Sequence, residues 1–239
     1  SAHPRSTSRP ASPRCSEAML RIRLVGADVA LHASGAVFLP AHHTLLVADA
    51  HFGKAVSFRR LGVPVPVGTT TETLDALAAL VAGTGASQVV FLGDFLHSAR
   101  AHATGTLGAL GRWRAAHPAL ALTLVRGNHD DRAGDPPANL GIQVLDEPLA
   151  LGPFALCHHP QPVTGAYVLA GHWHPCVRLA GKGNDRLRLP CFWLGDEARH
   201  PVGVLPAFGS FTGMQPIERR DGDRVFAVAG EVVREVPGG

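Results

Sequence analysis

"LTLVRGNHD", Leu122 to Asp130, decides how this chain reads. An apolar run of strand length stops at a glycine, and an amide, an imidazole and a carboxylate follow with nothing between them. Four other segments repeat the design: "TLLVADAH" (44–51), "QVVFLGDFLH" (88–97), "FALCHH" (154–159) and "AYVLAGHWH" (166–174). Their apolar runs are short, rich in Val, Leu and Phe, and too continuous for strands with one wet face, so they predict strands buried on both sides. Helix-like stretches, "TTTETLDALAALVAG" (69–83) and "TGTLGALGRWRAAH" (104–117), separate the first three. Strand alternating with helix predicts a largely parallel sheet. After Val177 the pattern changes to short alternating runs broken by Gly and Pro, such as "DRLRLPCFWL" and "DRVFAVAGEVV", which predict a second, mixed or antiparallel sheet.

Ligands of open α/β sheets bind beyond the carboxyl ends of the strands, where loops from neighbouring strands converge. All five polar clusters sit at that end. Turn chemistry explains one or two strands ending in Asp, Asn or Gly, but not five clusters rich in His and Asp.

Composition narrows the class. At 239 residues and 46% hydrophobic content the chain can build a sizeable core. It has no apolar run long enough to span a bilayer and no signal-peptide pattern at its start, which reads as a soluble, non-membrane protein. The four cysteines lie far apart without a CxxC pair, so neither a zinc knuckle nor a disulfide framework is indicated, and a reducing cytoplasm is expected. Residues 1–18, rich in Ser, Pro and Arg, read as a disordered leader or a non-native remnant, and 19–239 as a single domain. The leader holds three Arg and one Glu, so the remaining chain is close to neutral and net charge does not point to nucleic acid.

The donors are Asp49, His51, Asp94, Asn128, His158, His172 and His174. Residues i and i+2 of an extended chain share a face, so Asp49 with His51, and His172 with His174, can each converge on one point. Seven mixed N/O donors exceed one tetrahedral zinc site but suit two divalent ions about 3.5–4 Å apart. Two such ions outweigh two carboxylates and leave a positive surplus that attracts an anionic substrate, for which a phosphate ester fits. The lack of thiolates favours Mn²⁺, Fe²⁺ or Zn²⁺ over a softer metal.

At these residues the chain resembles the calcineurin-like metallophosphoesterases. The ordered signature of that superfamily stands here as "DAH" (49–51), "GDFLH" (93–97), "GNHD" (127–130), "CHHP" (157–160) and "GHWH" (171–174). The resemblance implies an α/β fold, a four-layer α/β/β/α sandwich of two mixed sheets flanked by helices, with a two-metal site between the sheets. It places Asp49, His51 and His174 on one ion and Asn128, His158 and His172 on the other, with Asp94 bridging; His158 is chosen over His159. It also makes His129 the proton donor to the leaving oxygen or the stabiliser of transition-state charge. Asp130 either orients that imidazole or caps a helix.

Within the superfamily, "VADAHFGKAVSFRRLGVPVPVGTT" and "LPAFGSFTGMQPI" resemble the bacterial ligase-associated DNA-damage-response metallophosphoesterases. That implies a DNA phosphodiesterase or endonuclease, most simply Mn²⁺-dependent, acting beside an ATP-dependent DNA ligase, an Lhr-type helicase and an exonuclease. Lys54, Arg59, Arg60 and Arg126 are then expected to hold phosphates flanking the scissile one. Two other readings share the motifs. A UDP-diacylglucosamine-type pyrophosphatase of lipid A synthesis needs a helical lid, for which the short intervals from His97 to Asn128 and from His129 to His158 leave little room. A non-catalytic binding platform would be expected to have lost ligands, and none is missing.

Overall fold

The computed structural model describes residues 19–55, 69–97, 104–127, 130, 134–180, 186–209 and 213–238. The leader 1–18 lies outside them. Among the described residues the first sheet comprises β1 (Met19–Leu24), β2 (Ala27–His32), β3 (Val37–Leu39), β4 (Thr44–Ala48), β5 (Gln88–Leu92), β6 (Ala121–Val125) and β7 (Ile142–Leu145), hydrogen-bonded in chain order. Its first three strands run as an antiparallel meander into β4. From β4 to β7 every pair is parallel. The β4–β5 crossover carries the helix α1 (Thr69–Thr84) and the β5–β6 crossover the helix α2 (Thr104–Ala116).

The second sheet holds β8 (Leu149–Leu151), β9 (Phe154–Leu156), β10 (Tyr167–Ala170), β11 (Pro175–Ala180), β12 (Arg186–Leu194), β13 (Val202–Val204), β14 (Gln215–Pro216), β15 (Arg224–Ala229) and β16 (Val232–Val236). Its order is β14-β11-β12-β13-β10-β9-β8, with β15 pairing β12 and β16. The boundary between the sheets thus falls earlier than the change of pattern after Val177 suggests. β9 and β10 pair in parallel and are buried throughout, so they carry the same continuous apolar signature as β4 to β6 while belonging to the other sheet.

Alternation along the central strands sorts the core into two layers. Leu45, Val47, Val89, Phe91, Leu122 and Leu124 pack with Leu74, Leu77 and Leu80 of α1 and with Ala109 and Leu110 of α2. Leu46, Ala48, Val90, Leu92 and Val125 face the other way, against Phe154, Leu156, Tyr167, Leu169, Phe192 and Phe226 of the second sheet. This is the α/β arrangement of two mixed sheets, and both described α-helices pack on the first sheet. Past their first residues, Thr44 and Gln88, β4 and β5 are buried on both faces, which is why they read as unbroken apolar runs. α1 ends where Gly85 takes φ 68° and its amide reaches the Val81 carbonyl at 3.0 Å, the left-handed stop of a helix terminus. Leu77 is fully buried beneath it, and Leu77→Ala would cost about 2–5 kcal/mol. No helix among the described residues is long and apolar enough to cross a membrane.

Candidate metal centre

The loops that leave β4 and β5 run on side by side past the sheet. The His51 amide donates to the Asp94 carbonyl at 2.9 Å, Phe52 to Phe95 at 2.8 Å, and His97 to Phe52 at 3.1 Å. From the second sheet, the loop after β9 carries His158 and the loop after β10 carries His172 and His174; Gly171 N donates to the His158 carbonyl at 3.2 Å. Among the bonds that join the two sheets here is one from the His172 amide to Asp49 Oδ2 at 2.9 Å.

Glycine makes the approach possible. A Cβ on Gly93 (φ 74°) would run into the His158 ring, one on Gly127 would stand 2.8 Å from Asp94 Oδ1, and one on Gly171 would stand 2.5 Å from Asp49 Oδ2. Asp49, His51, Asp94, His172 and His174 all have positive φ, between 46° and 71°. Such backbone is uncommon outside glycine and is tolerated best by Asn, Asp and His. Five donor residues held in it mark a surface where the chain is bent to aim side chains.

Those side chains converge. The two oxygens of Asp94 divide: Oδ2 lies 3.9 Å from His51 Nε2, and Oδ1 lies 3.7 Å from His158 Nε2. Asp49 Oδ2 stands 3.6 Å from His174 Nε2 and Oδ1 3.7 Å from His158 Nδ1. Three overlapping groups have donor atoms within 4.8 Å of one another: Asp49 with His51 and His174; Asp49 with Asp94 and His158; and His158 with His159 and His172. Asp49 is completely buried and Asp94 nearly so.

The residues present fit divalent cations on three counts. Asp49 Oδ1 and His174 Nε2 are buried without a hydrogen-bond partner, a costly state for polar atoms unless something positive lies between them. His174 Nδ1 faces the Gly213 carbonyl at 3.0 Å and His158 Nδ1 faces the Leu92 carbonyl at 3.0 Å. A carbonyl only accepts, so both Nδ1 atoms carry the proton and each Nε2 presents its lone pair to the cluster, the usual backing of a metal-binding imidazole. Finally, His158 Nε2 and His172 Nδ1 lie within hydrogen-bond distance of each other, 3.0 Å apart, so nitrogens of two rings already converge on one point.

Electrostatics set the two imidazoles of the GHWH loop apart. Burial lowers the pKa of His172, and the neighbouring His158 and His159 lower it further, favouring the neutral ring. Burial also works to lower that of His174, but the Asp49 carboxylate outweighs it and raises the pKa. Lys54 lies close enough to feel both Asp49 and Asp94; burial lowers its pKa against their pull.

Two carboxylates support the centre from behind. Asp130 Oδ2 accepts from the Gly127 amide at 2.8 Å and Oδ1 from Phe95 at 2.9 Å, tying the loop after β6 to the loop after β5. Burial pushes its pKa up to about 6. Glu147 accepts from the His158 and His159 amides at 2.7 and 2.9 Å and from His159 Nδ1 at 2.8 Å. Burial acts to raise its pKa, but those bonds outweigh it and hold it low. Sequence reasoning missed Glu147, for a lone Glu before Pro148 carries no motif. The adjacent histidines therefore differ: His158 is enclosed among carboxylates, whereas His159 is 41% exposed and bonded to Glu147. Arg126 is paired with Asp135 at 3.1 Å and lies 3.8 Å from Asp146, so part of its charge is already met. Asn128, His129, Arg59 and Arg60 lie outside the described residues.

Acid and imidazole side chains thus meet beyond the strand ends of two stacked mixed sheets. Pseudomonas putida nuclease MPE is 44% identical to this chain, aligned over 91% of it and 100% of that protein, with a TM-score of 0.80. The chain belongs to the same family, within the calcineurin-like metallophosphoesterases, and is a metal-dependent phosphoesterase. A protein of unknown function from Aquifex aeolicus, AQ665, is 20% identical over 59% of this chain and 82% of its own (TM-score 0.37). The E. coli phosphoesterase Yfce is 13% identical over 78% of this chain and 88% of its own (TM-score 0.36). No protein-family model and no curated protein sequence matches the chain.

Proposed function

We propose that this chain is a two-metal phosphodiesterase that cuts DNA, an endonuclease of a cytoplasmic ligase-associated repair system. One observation carries the two-metal reading: the Asp94 carboxylate points one oxygen at His51 and the other at His158, so it joins two half-sites. Asp49, His51 and His174 would hold the first ion with Asp94; His158, His172 and Asn128 would hold the second. Mn²⁺ is the proposed metal, with Fe²⁺ or Zn²⁺ compatible with the same donors. When bound, the pair supplies positive charge against the phosphoryl oxygens and lowers the pKa of the attacking water. His129 donates the proton to the leaving oxygen. Lys54, Arg59 and Arg60 hold flanking phosphates, with Arg126 contributing what its acidic partners leave. The DNA reading is supported by the relative, which is a nuclease. An ATP-dependent ligase, an Lhr-type helicase and an exonuclease are its proposed functional partners.

The test is metal content with turnover. Purified protein should bind two Mn²⁺ per chain and nick DNA after chelation and Mn²⁺ return; anomalous scattering from a single tetrahedral ion would sink the two-metal mechanism. His129→Ala should keep its metal and lose roughly two to four orders of magnitude in turnover. If its metal is lost as well, His129 is a ligand and the assignment of the proton donor fails.

A further inference from the structure

Trp173 stands between two candidate ligands, His172 and His174, yet takes no part in the cluster. Its Cα is one peptide, about 3.8 Å, from each of theirs. The indole stacks on Trp193, with ring centroids 5.6 Å apart and planes 19° from parallel. Trp193 is itself firmly mounted: its Nε1 donates to Asp223 Oδ2 at 2.7 Å, and that oxygen also accepts the Arg220 amide at 2.9 Å. The Arg219 guanidinium holds the Asp223 carbonyl from the other side at 2.9 Å. The Arg220 guanidinium lies 6.0 Å from the Trp193 ring centroid. Despite this mounting, Trp173 keeps 38% of its surface in solvent.

A tryptophan with one face covered by a fixed ring and part of its surface in solvent, adjoining a phosphoesterase centre, its stacking partner flanked by the exposed Arg220, is prearranged to receive a flat partner at small entropic cost. A phosphodiester of DNA brings such a partner, because each phosphate carries a base within a few ångströms and every base has a π-face. We propose that Trp173 is a nucleobase-stacking subsite beside the metal centre, with Arg220 meeting a neighbouring phosphate of the same strand. The proposal rests on the DNA-cleaving reading and specifies how that substrate is gripped.

Cleavage of a thymidine oligonucleotide and of its abasic analogue of equal length, with Mn²⁺ supplied, tests it. The wild type should favour the base-bearing strand in kcat/KM by a factor on the order of ten to a hundred, the range of one base–aromatic stack. Trp173→Leu should bring that ratio close to one with its metal retained, and Trp173→Phe should restore most of it. A wild-type ratio near one, or an unchanged ratio in Trp173→Leu, overturns the subsite while leaving the nuclease reading intact. Loss of metal in Trp173→Leu would assign the residue to holding His172 and His174 and also overturn it. If the wild type cuts neither strand but hydrolyses small phosphodiesters, the DNA reading falls and the subsite with it.

Discussion

The first sheet brings Asp49 and Asp94 to the centre, with His51; the second brings His158, His172 and His174. The acid side is deeply enclosed, as is His158, whereas the rest of the imidazole side opens outward, His172 being half-buried and the His159 side chain 41% exposed. Neither sheet is a sufficient site. Two buried carboxylates without a cation repel one another and lose their hydration, at a cost of several kcal/mol, while a cluster of neutral rings has no charge to hold an ion firmly. The join is therefore where binding, chemistry and the packing of one sheet on the other meet.

Removing the acid side at its shared residue should do most damage. Asp94→Ala is expected to lose metal from both half-sites and at least roughly three orders of magnitude in phosphodiester turnover, read by elemental analysis and a chromogenic diester. An Asp94→Ala protein that kept two ions would refute the bridging assignment. Crowding the join without removing a donor should do less: Gly93→Ala puts a methyl into the His158 ring and is expected to cost about tenfold to a hundredfold in activity, the scale of a disturbed ligand support. Metal removal by a chelator should loosen the packing between the sheets, lowering Tm by about 5–10 °C if the ions are normally present well above their Kd. An unchanged melting curve would mean that the sheets hold together without them. The smallest effect is expected far from the join, at the exposed Arg224–Glu235 pair (2.9 Å): Arg224→Ala should change stability by no more than about 1 kcal/mol and leave metal content alone.

The convergence of Asp and His at the candidate centre was legible because it is written in residue types at fixed offsets from buried runs. "GDFLH" and "GHWH" announce candidate donors whichever sheet they end. Sheet membership was less legible. Phe154–Leu156 and Tyr167–Ala170 are parallel strands buried on both faces, so no alternation betrays that they face Leu92 and Val125 across a core instead of pairing beside them. Glu147 and the Trp193 mount of Trp173 were invisible for a different reason. Each acts through partners distant in sequence, Asp223 on Trp193 being the clearest, and such pairings leave no local spacing to read.

The left-handed backbone at Asp49, His51, Asp94, His172 and His174 couples inheritance to coordination. The residue types that best tolerate that conformation, Asn, Asp and His, overlap with those that bind divalent ions, so a drift away from metal binding meets a second penalty in the fold itself. Asparagine and glycine are the natural exits, since both accept the bend. In a library randomised at these five positions and sorted first for folded protein, β-branched residues should be depleted even among inactive members, and Asn and Gly enriched.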